Sequence, residues 1–168
     1  NYRSDFKKPR HTKKIVSIDK TLLDLKIKLP KPKDPVGSYL AIKKSNNLIY
    51  ISGQISVDEK GDLITGKLGK DLNINQGYEA AQRCGLAIIS QLKKACDNDL
   101  SKVKSCLKLT GYVNSTNDFV DQPKVINGAS EIIVKIFEDK GLHTRAAIST
   151  NSLPLGVAVE VDAVFEIN

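Results

Sequence analysis

The stretch Val157-Ala158-Val159-Glu160-Val161-Asp162-Ala163-Val164-Phe165-Glu166-Ile167 alternates without a break. Val157, Val159, Val161, Ala163, Phe165 and Ile167 fall on one face, and Glu160, Asp162 and Glu166 on the other. Successive side chains of a strand point to opposite sides, so this segment is a strand with one buried and one polar face. An apolar strand face must be covered by another layer.

Two helical patterns supply that layer. From about Pro123 to Asp139, Ile126, Ala129, Ile133, Ile136 and Phe137 recur at helical spacing, with Gly141 just past the end. From about Asn75 to Cys96, Ala80, Cys84, Ala87, Ile88, Leu92 and Ala95 repeat every three or four residues, which predicts an amphipathic helix with one buried face. Between them Val103 to Val113 alternates, with Val103, Ser105, Leu107 and Leu109 set against Lys102, Lys104 and Lys108. Upstream, Tyr39 to Lys43 and Leu48 to Ser52 flank Ser45-Asn46-Asn47 and predict a hairpin. Residues 56 to 72 carry Gly61, Gly66 and Gly69 and read as a loop. Ser17 is placed to cap a short helix through Leu25, before Pro30, Pro32 and Pro35 break regular structure.

The order β-β-α-β-α-β-β predicts an α+β fold, a two-layer sandwich of a mixed six-stranded sheet with two helices on one face. The other sheet face is either wet or buried against copies of the chain in a closed oligomer. Residues 1–34 form a basic N-terminal arm with a short docked helix and linker, and residues 35–168 form the domain.

At 168 residues, 40% of them hydrophobic, the chain suits one well-buried core and contains no apolar run long enough to span a membrane. The net charge of +7 resides in the leader: residues 1–34 hold 11 Lys and Arg against 4 Asp and Glu, and residues 35–168 hold 15 of each. A neutral body lacks the footprint of phosphate-backbone binding, so nucleic acid is not an expected partner. The run Lys7 to Lys14 reads as a solvated arm, with contact to anionic partners as the alternative. Position 1 is not Met, so the chain reads as processed or trimmed; the basic leader also has the composition of a transit-peptide remnant. Cytoplasm is the default compartment and an organelle the alternative. Cys84, Cys96 and Cys106 form no CxxC pair and are expected to pack. With only His11 and His143 present, no metal site or cofactor is expected.

Several motifs, taken together, resemble the YjgF/Rid (reactive intermediate deaminase) superfamily. They are Gly37-Ser38-Tyr39, then Leu48 through Ser52-Gly53-Gln54, then Thr144-Arg145-Ala146-Ala147, Leu153-Pro154 and Val159-Glu160-Val161-Asp162-Ala163. They run in the family's order over about residues 35–168. Gln122-Pro123 and Val125 through Ser130, with Leu29-Pro30, are similar to a longer subgroup. The resemblance implies a chorismate-mutase-like fold, a homotrimeric barrel with three clefts between subunits, and 2-imino and 2-oxo acids as small-molecule partners. The activity it implies is hydrolytic deamination of reactive enamines and imines of the 2-aminoacrylate/2-iminopropanoate type to 2-oxoacids and ammonia. Alternatives are the endoribonuclease L-PSP or translation-inhibitor label of the same family, and a trimer that binds small carboxylates without catalysis.

By resemblance Arg145 grips the substrate carboxylate, for which its planar two-pronged donor set is suited. By pattern alone it is a surface cation. Glu160 is implied to position or deprotonate the attacking water, and is otherwise an ordinary solvated acid like Asp162. Tyr39, Ser52, Gly53 and Asn127 are implied to bind substrate. Tyr39 is otherwise an ordinary half-buried strand residue, Gly53 a bulge or strand end, and Asn127 a polar helix-surface residue. Ala147 stands where many characterised deaminases carry a cysteine, so no thiol acts there. Thr144 replaces a small residue or Pro, and four residues are inserted between Phe119 and Asn127.

Overall fold

A computed structural model describes residues 17–168. The basic run Lys7 to Lys14 lies outside the described residues. Ser17 caps α1 (Ile18–Asp24), its hydroxyl oxygen accepting the Lys20 N–H at 3.2 Å. The hairpin is β1 (Ile42–Ser45) and β2 (Leu48–Ile55), with Ser45 paired to Leu48 across Asn46-Asn47. There follow α2 (Ile74–Ala95), β3 (Val103–Asn114), α3 (Gln122–Phe137), β4 (Thr144–Thr150) and β5 (Val159–Ile167). The order of strands and large helices is the one the sequence predicts.

Among the described residues the sheet has five strands, in the order β1-β2-β5-β3-β4, one fewer than the six expected. β3 and β4 run parallel across the α3 crossover, and every other pair is antiparallel. Residues 56–72 add no strand. Gly61, Gly66 and Gly69 have φ of 97°, 117° and 86°, which turn the backbone away from a ladder and leave isolated bridges such as Val57 to Leu63 and Thr65 to Val157.

Two further expectations are corrected, and a third feature follows the sequence reading. Tyr39 is not on a strand: β1 starts at Ile42, and Tyr39 lies in the bend after Pro35. The alternation predicted for β3 fails at Leu107, which is exposed while Cys106 is buried. Two register shifts against β5, at Val103/Ser105 and Cys106/Lys108, each insert a residue, so Val103, Cys106, Leu109 and Val113 face the core. Three α-helices are present among the described residues, and only α2 and α3 cover the sheet; α1 packs at their side, against α3.

α2 begins at Ile74 because Asn73 and Gln76 form a reciprocal cap, each side chain accepting the other's backbone N–H at 2.9 Å. Its long buried stripe, with that of α3, closes over Ile49, Ile51, Leu109, Val161 and Phe165. The linker is strapped along α2: Ser90 donates to the Pro30 carbonyl at 2.5 Å and the buried Gln91 to the Lys33 carbonyl at 2.7 Å.

α2 and α3 touch backbone to backbone at Gly128, where a Cβ would stand 2.0 Å from the Tyr78 carbonyl oxygen. Gly128→Ala is therefore expected to force the helices apart and cost about 3 kcal/mol. Urea unfolding of the variant beside the wild type measures the cost; an unchanged midpoint would contradict this packing.

Candidate functional site

The outer face of β5 carries Glu160 and Asp162, both half-buried. Beside them β2 holds an extra residue against β5, the register slipping between Ile51 and Gln54. Gly53 sits in this bulge, and a Cβ there would come 1.9 Å from Glu160 Oε1. The carboxyl thus lies where a side chain at position 53 would be, and the glycine creates its berth. Around it Tyr39, Ser52, Gly53, Asp162 and Pro154 border an open concavity of about 660 Å³.

Burial first, and then the neighbouring charge of Asp162, push the Glu160 carboxyl above its ordinary value of 4.5. Burial also raises Asp162, opposed by hydrogen bonds from Tyr112 and Thr110, the Tyr112 hydroxyl donating to Asp162 Oδ2 at 3.3 Å. The Ser52 hydroxyl donates to the Leu40 carbonyl at 2.7 Å, so its proton is committed to anchoring the Tyr39 bend. Tyr39 itself is 55% exposed.

Arg145 lies elsewhere. In the parallel register it sits beside Leu109, itself beside Ala163; both are core residues, so Arg145 points to the helix side of the sheet. It is half-buried on the edge strand β4. Nη1 donates to Asn127 Oδ1 at 2.8 Å and to Ser130 Oγ at 3.1 Å, and Nη2 approaches the Pro123 carbonyl at 3.5 Å. All three acceptors are neutral, and among the described residues no carboxylate pairs with the guanidinium. Nε and most of the Nη2 donor capacity, the edge that fits a carboxylate, remain available.

One chain therefore brings Tyr39, Ser52, Gly53 and Glu160 together, and Arg145 with Asn127, but not the two groups with each other. Glu160 faces Tyr112 and Ile148 across the sheet, and Arg145 is three residues before Ile148 on β4. An odd separation places them on opposite faces. Asn127 lies in the second turn of α3 rather than at its start.

Sequence reasoning passed over Asp162, Tyr112, Ser130 and His143. Ser130 follows Asn127 by three on α3 and His143 precedes Arg145 by two, spacings that put each on the same side as its neighbour. Cys84, Cys96 and Cys106 are buried and free. Burial raises all three thiols, that of Cys106 to about 12, so none is a ready nucleophile. Among the described residues no three His, Cys, Asp or Glu side chains gather to hold a metal. A second recess, bordered by Gly69, Leu72, Asn75 and Phe119, contains no ionisable group.

Comparison with known proteins bears on this geometry. Residues 19–166 match the family model described as "YjgF/chorismate mutase-like, putative endoribonuclease". The chain is 41% identical over 145 residues to protein TCP17 of Trypanosoma cruzi, covering 86% of this chain and 90% of that one. A crystal structure of an Agrobacterium tumefaciens protein of unknown function superposes with a TM-score of 0.83 at 38% identity, covering 90% of this chain and 92% of that chain. The mouse protein named 2-iminobutanoate/2-iminopropanoate deaminase is 28% identical over 130 residues, covering 77% and 81%.

Because Asp162 is the second cause of the Glu160 shift, Asp162→Asn is expected to move the Glu160 titration down toward 4.5 while burial still holds it above that value. Side-chain carboxyl NMR across the acid range measures this. An unmoved Glu160 would show that the two acids do not sense each other.

Proposed function

As the chain belongs to the YjgF/chorismate mutase-like family, within the YjgF/Rid superfamily, we propose that it hydrolyses 2-imino acids and their enamine tautomers to 2-oxoacids and ammonia, in clefts closed between copies of a homotrimer. One observation carries this reading. Among the described residues Arg145 keeps Nε and one side of Nη2, a carboxylate-shaped donor edge, free on one face of the sheet, while Glu160 with a raised pKa borders a concavity on the other. The two halves are chemically complementary, and a second copy brings one to the other. The outer sheet face, where Tyr50 and Ile148 are 45% and 47% exposed, is the surface that such packing covers. The mouse relative's name supports the substrate class.

In this cleft Arg145 of one subunit holds the substrate carboxylate by two parallel N–H donors. The imine carbon then faces the Glu160 concavity of the neighbouring subunit. Glu160 takes a proton from water as the oxygen adds to that carbon, and the C=N bond becomes a C–N single bond. Returning the proton to nitrogen completes the carbinolamine; Glu160 then takes the hydroxyl proton and delivers it to that nitrogen as the C–N bond breaks and C=O forms, so one water enters and the 2-oxoacid and one ammonia leave. A carboxyl titrating above its ordinary value suits both steps, since it neither holds its proton too loosely nor too tightly. Asn127 fixes the Arg145 head from behind, Ser52 keeps the Tyr39 bend on the rim, and Gly53 leaves room for the carboxyl. No thiol takes part, because Ala147 occupies the position next to Arg145 on the same face of β4.

The purified protein, added to a dehydratase that generates 2-aminoacrylate, is expected to accelerate 2-oxoacid release over buffer. Arg145→Ala should lose about a hundredfold or more in kcat/KM, the scale of stranding a charged partner. Glu160→Gln should lower kcat with little change in KM. Sedimentation should give a trimer. No acceleration, full activity in Arg145→Ala, or a stable monomer would overturn the reading; saturable binding of 2-oxoacids without turnover would leave a carboxylate-binding protein, and cleavage of RNA without deamination an endoribonuclease.

A further inference from the structure

We infer that His143 and Ser130 act as positioning residues for Arg145, through a one-way hydrogen-bond chain that fixes which edge of the guanidinium meets the substrate. This rests on the reading of Arg145 as the carboxylate grip. The His143 ring lies between two partners: Nδ1 is 2.6 Å from the Gly141 carbonyl oxygen and Nε2 is 2.9 Å from Ser130 Oγ. A carbonyl only accepts, so Nδ1 carries a hydrogen. A guanidinium only donates, so Ser130 Oγ accepts from Arg145 Nη1. In the neutral ring Nε2 has only a lone pair to offer, and the Ser130 hydroxyl proton completes the bond to it. Every donor then points the same way: Arg145 to Ser130, Ser130 to His143, His143 to the Gly141 carbonyl.

The direction matters for Arg145. A serine hydroxyl rotates freely about its C–O bond and offers either a proton or a lone pair to a neighbour. With its proton held by His143, it presents lone pairs toward β4 and receives Nη1. Asn127, one helical turn back on α3, takes the other Nη1 hydrogen at 2.8 Å. Both Nη1 hydrogens are thereby used and the plane of the guanidinium is set. Nε and Nη2 remain as the side-on pair for a carboxylate. His143 is anchored at the turn that follows α3, Glu138–Gly141, where Gly141 packs against the Ile133 carbonyl closely enough that a Cβ would sit at 2.7 Å. The chain thus ties the grip to a rigid corner of the helix layer.

A pure positioning role predicts a split between kinetic constants. Ser130→Ala and His143→Phe leave the charge of Arg145 in place but free its plane. Each is expected to raise KM for the imino acid, and the dissociation constant for 2-oxobutanoate measured by calorimetry, by roughly tenfold, the scale of one hydrogen bond to a charged group. kcat should stay within about twofold, because the grip acts alike on ground and transition states. Ser130→Thr, which keeps the hydroxyl, should hold KM near the wild-type value. Thermal unfolding of all three, run alongside, should show midpoints near wild type for Ser130→Ala and Ser130→Thr. Wild-type KM and 2-oxobutanoate affinity in Ser130→Ala and His143→Phe, with Arg145→Ala inactive, would overturn the positioning role and leave the deaminase reading standing. A fall in kcat at unchanged affinity would also overturn it. A wild-type protein that neither binds 2-oxobutanoate nor turns over imine would overturn both.

Discussion

A β-strand offers each residue one of two faces, and this constraint separates the chemistry of the molecule into halves. On β5 the apolar set from Val159 to Ile167 is held against α2 and α3, which obliges Glu160 and Asp162 to face outward. The same parity, carried through the unbroken register of β3 and β4, turns Arg145 inward to α3. Slipping β5 by one residue to unite the two would turn that strand's whole apolar set outward. The core thus forbids an intramolecular site, and the proposed cleft between copies follows from that prohibition.

Each half is built by a local departure from regular structure. The bulge in β2 places a glycine where the Glu160 carboxyl needs space, so the acid is withdrawn from water without an opposite charge beside it. Burial then dominates its titration, with the like charge of Asp162 adding to it. On the other side, the parallel pairing of β3 with β4 leaves β4 at the sheet edge, and α3 covers only its inner side. A cation there is half-buried yet reachable. Its three neutral acceptors orient it without neutralising it.

The family's motifs survive here in a particular chemical setting. Ala147 occupies the inward position beside Arg145, and all three cysteines are packed in the core with raised thiol pKa values. The ionisable groups bordering the concavity are two carboxyls and two phenols, Glu160, Asp162, Tyr39 and Tyr50. Behind Arg145 stands a set of residues from two turns of α3 and the corner after it, Asn127, Ser130, Gly141 and His143. The groups that accept from the guanidinium, Asn127 and Ser130, carry no charge and do not neutralise it.

The sequence by itself determined the layers. Alternation over Val157 to Ile167 and three- or four-residue spacing over the two long helices depend on which side chains avoid water, a property that each stretch carries alone. Resemblance to the family's motifs nominated the candidate residues, and of these Tyr39, Ser52, Gly53 and Glu160 border one concavity within a single chain. Only the tertiary structure decided the number and register of strands, since bulges at Cys106 and Gly53 arise from how two strands fit rather than from either one. It alone set Arg145 apart from Glu160 and gathered Ser130 and His143 around it. Those contacts join residues 13 and 15 apart across a helix, a turn and a sheet edge, and hydrogen bonds of that span form only once packing has fixed the positions of all three.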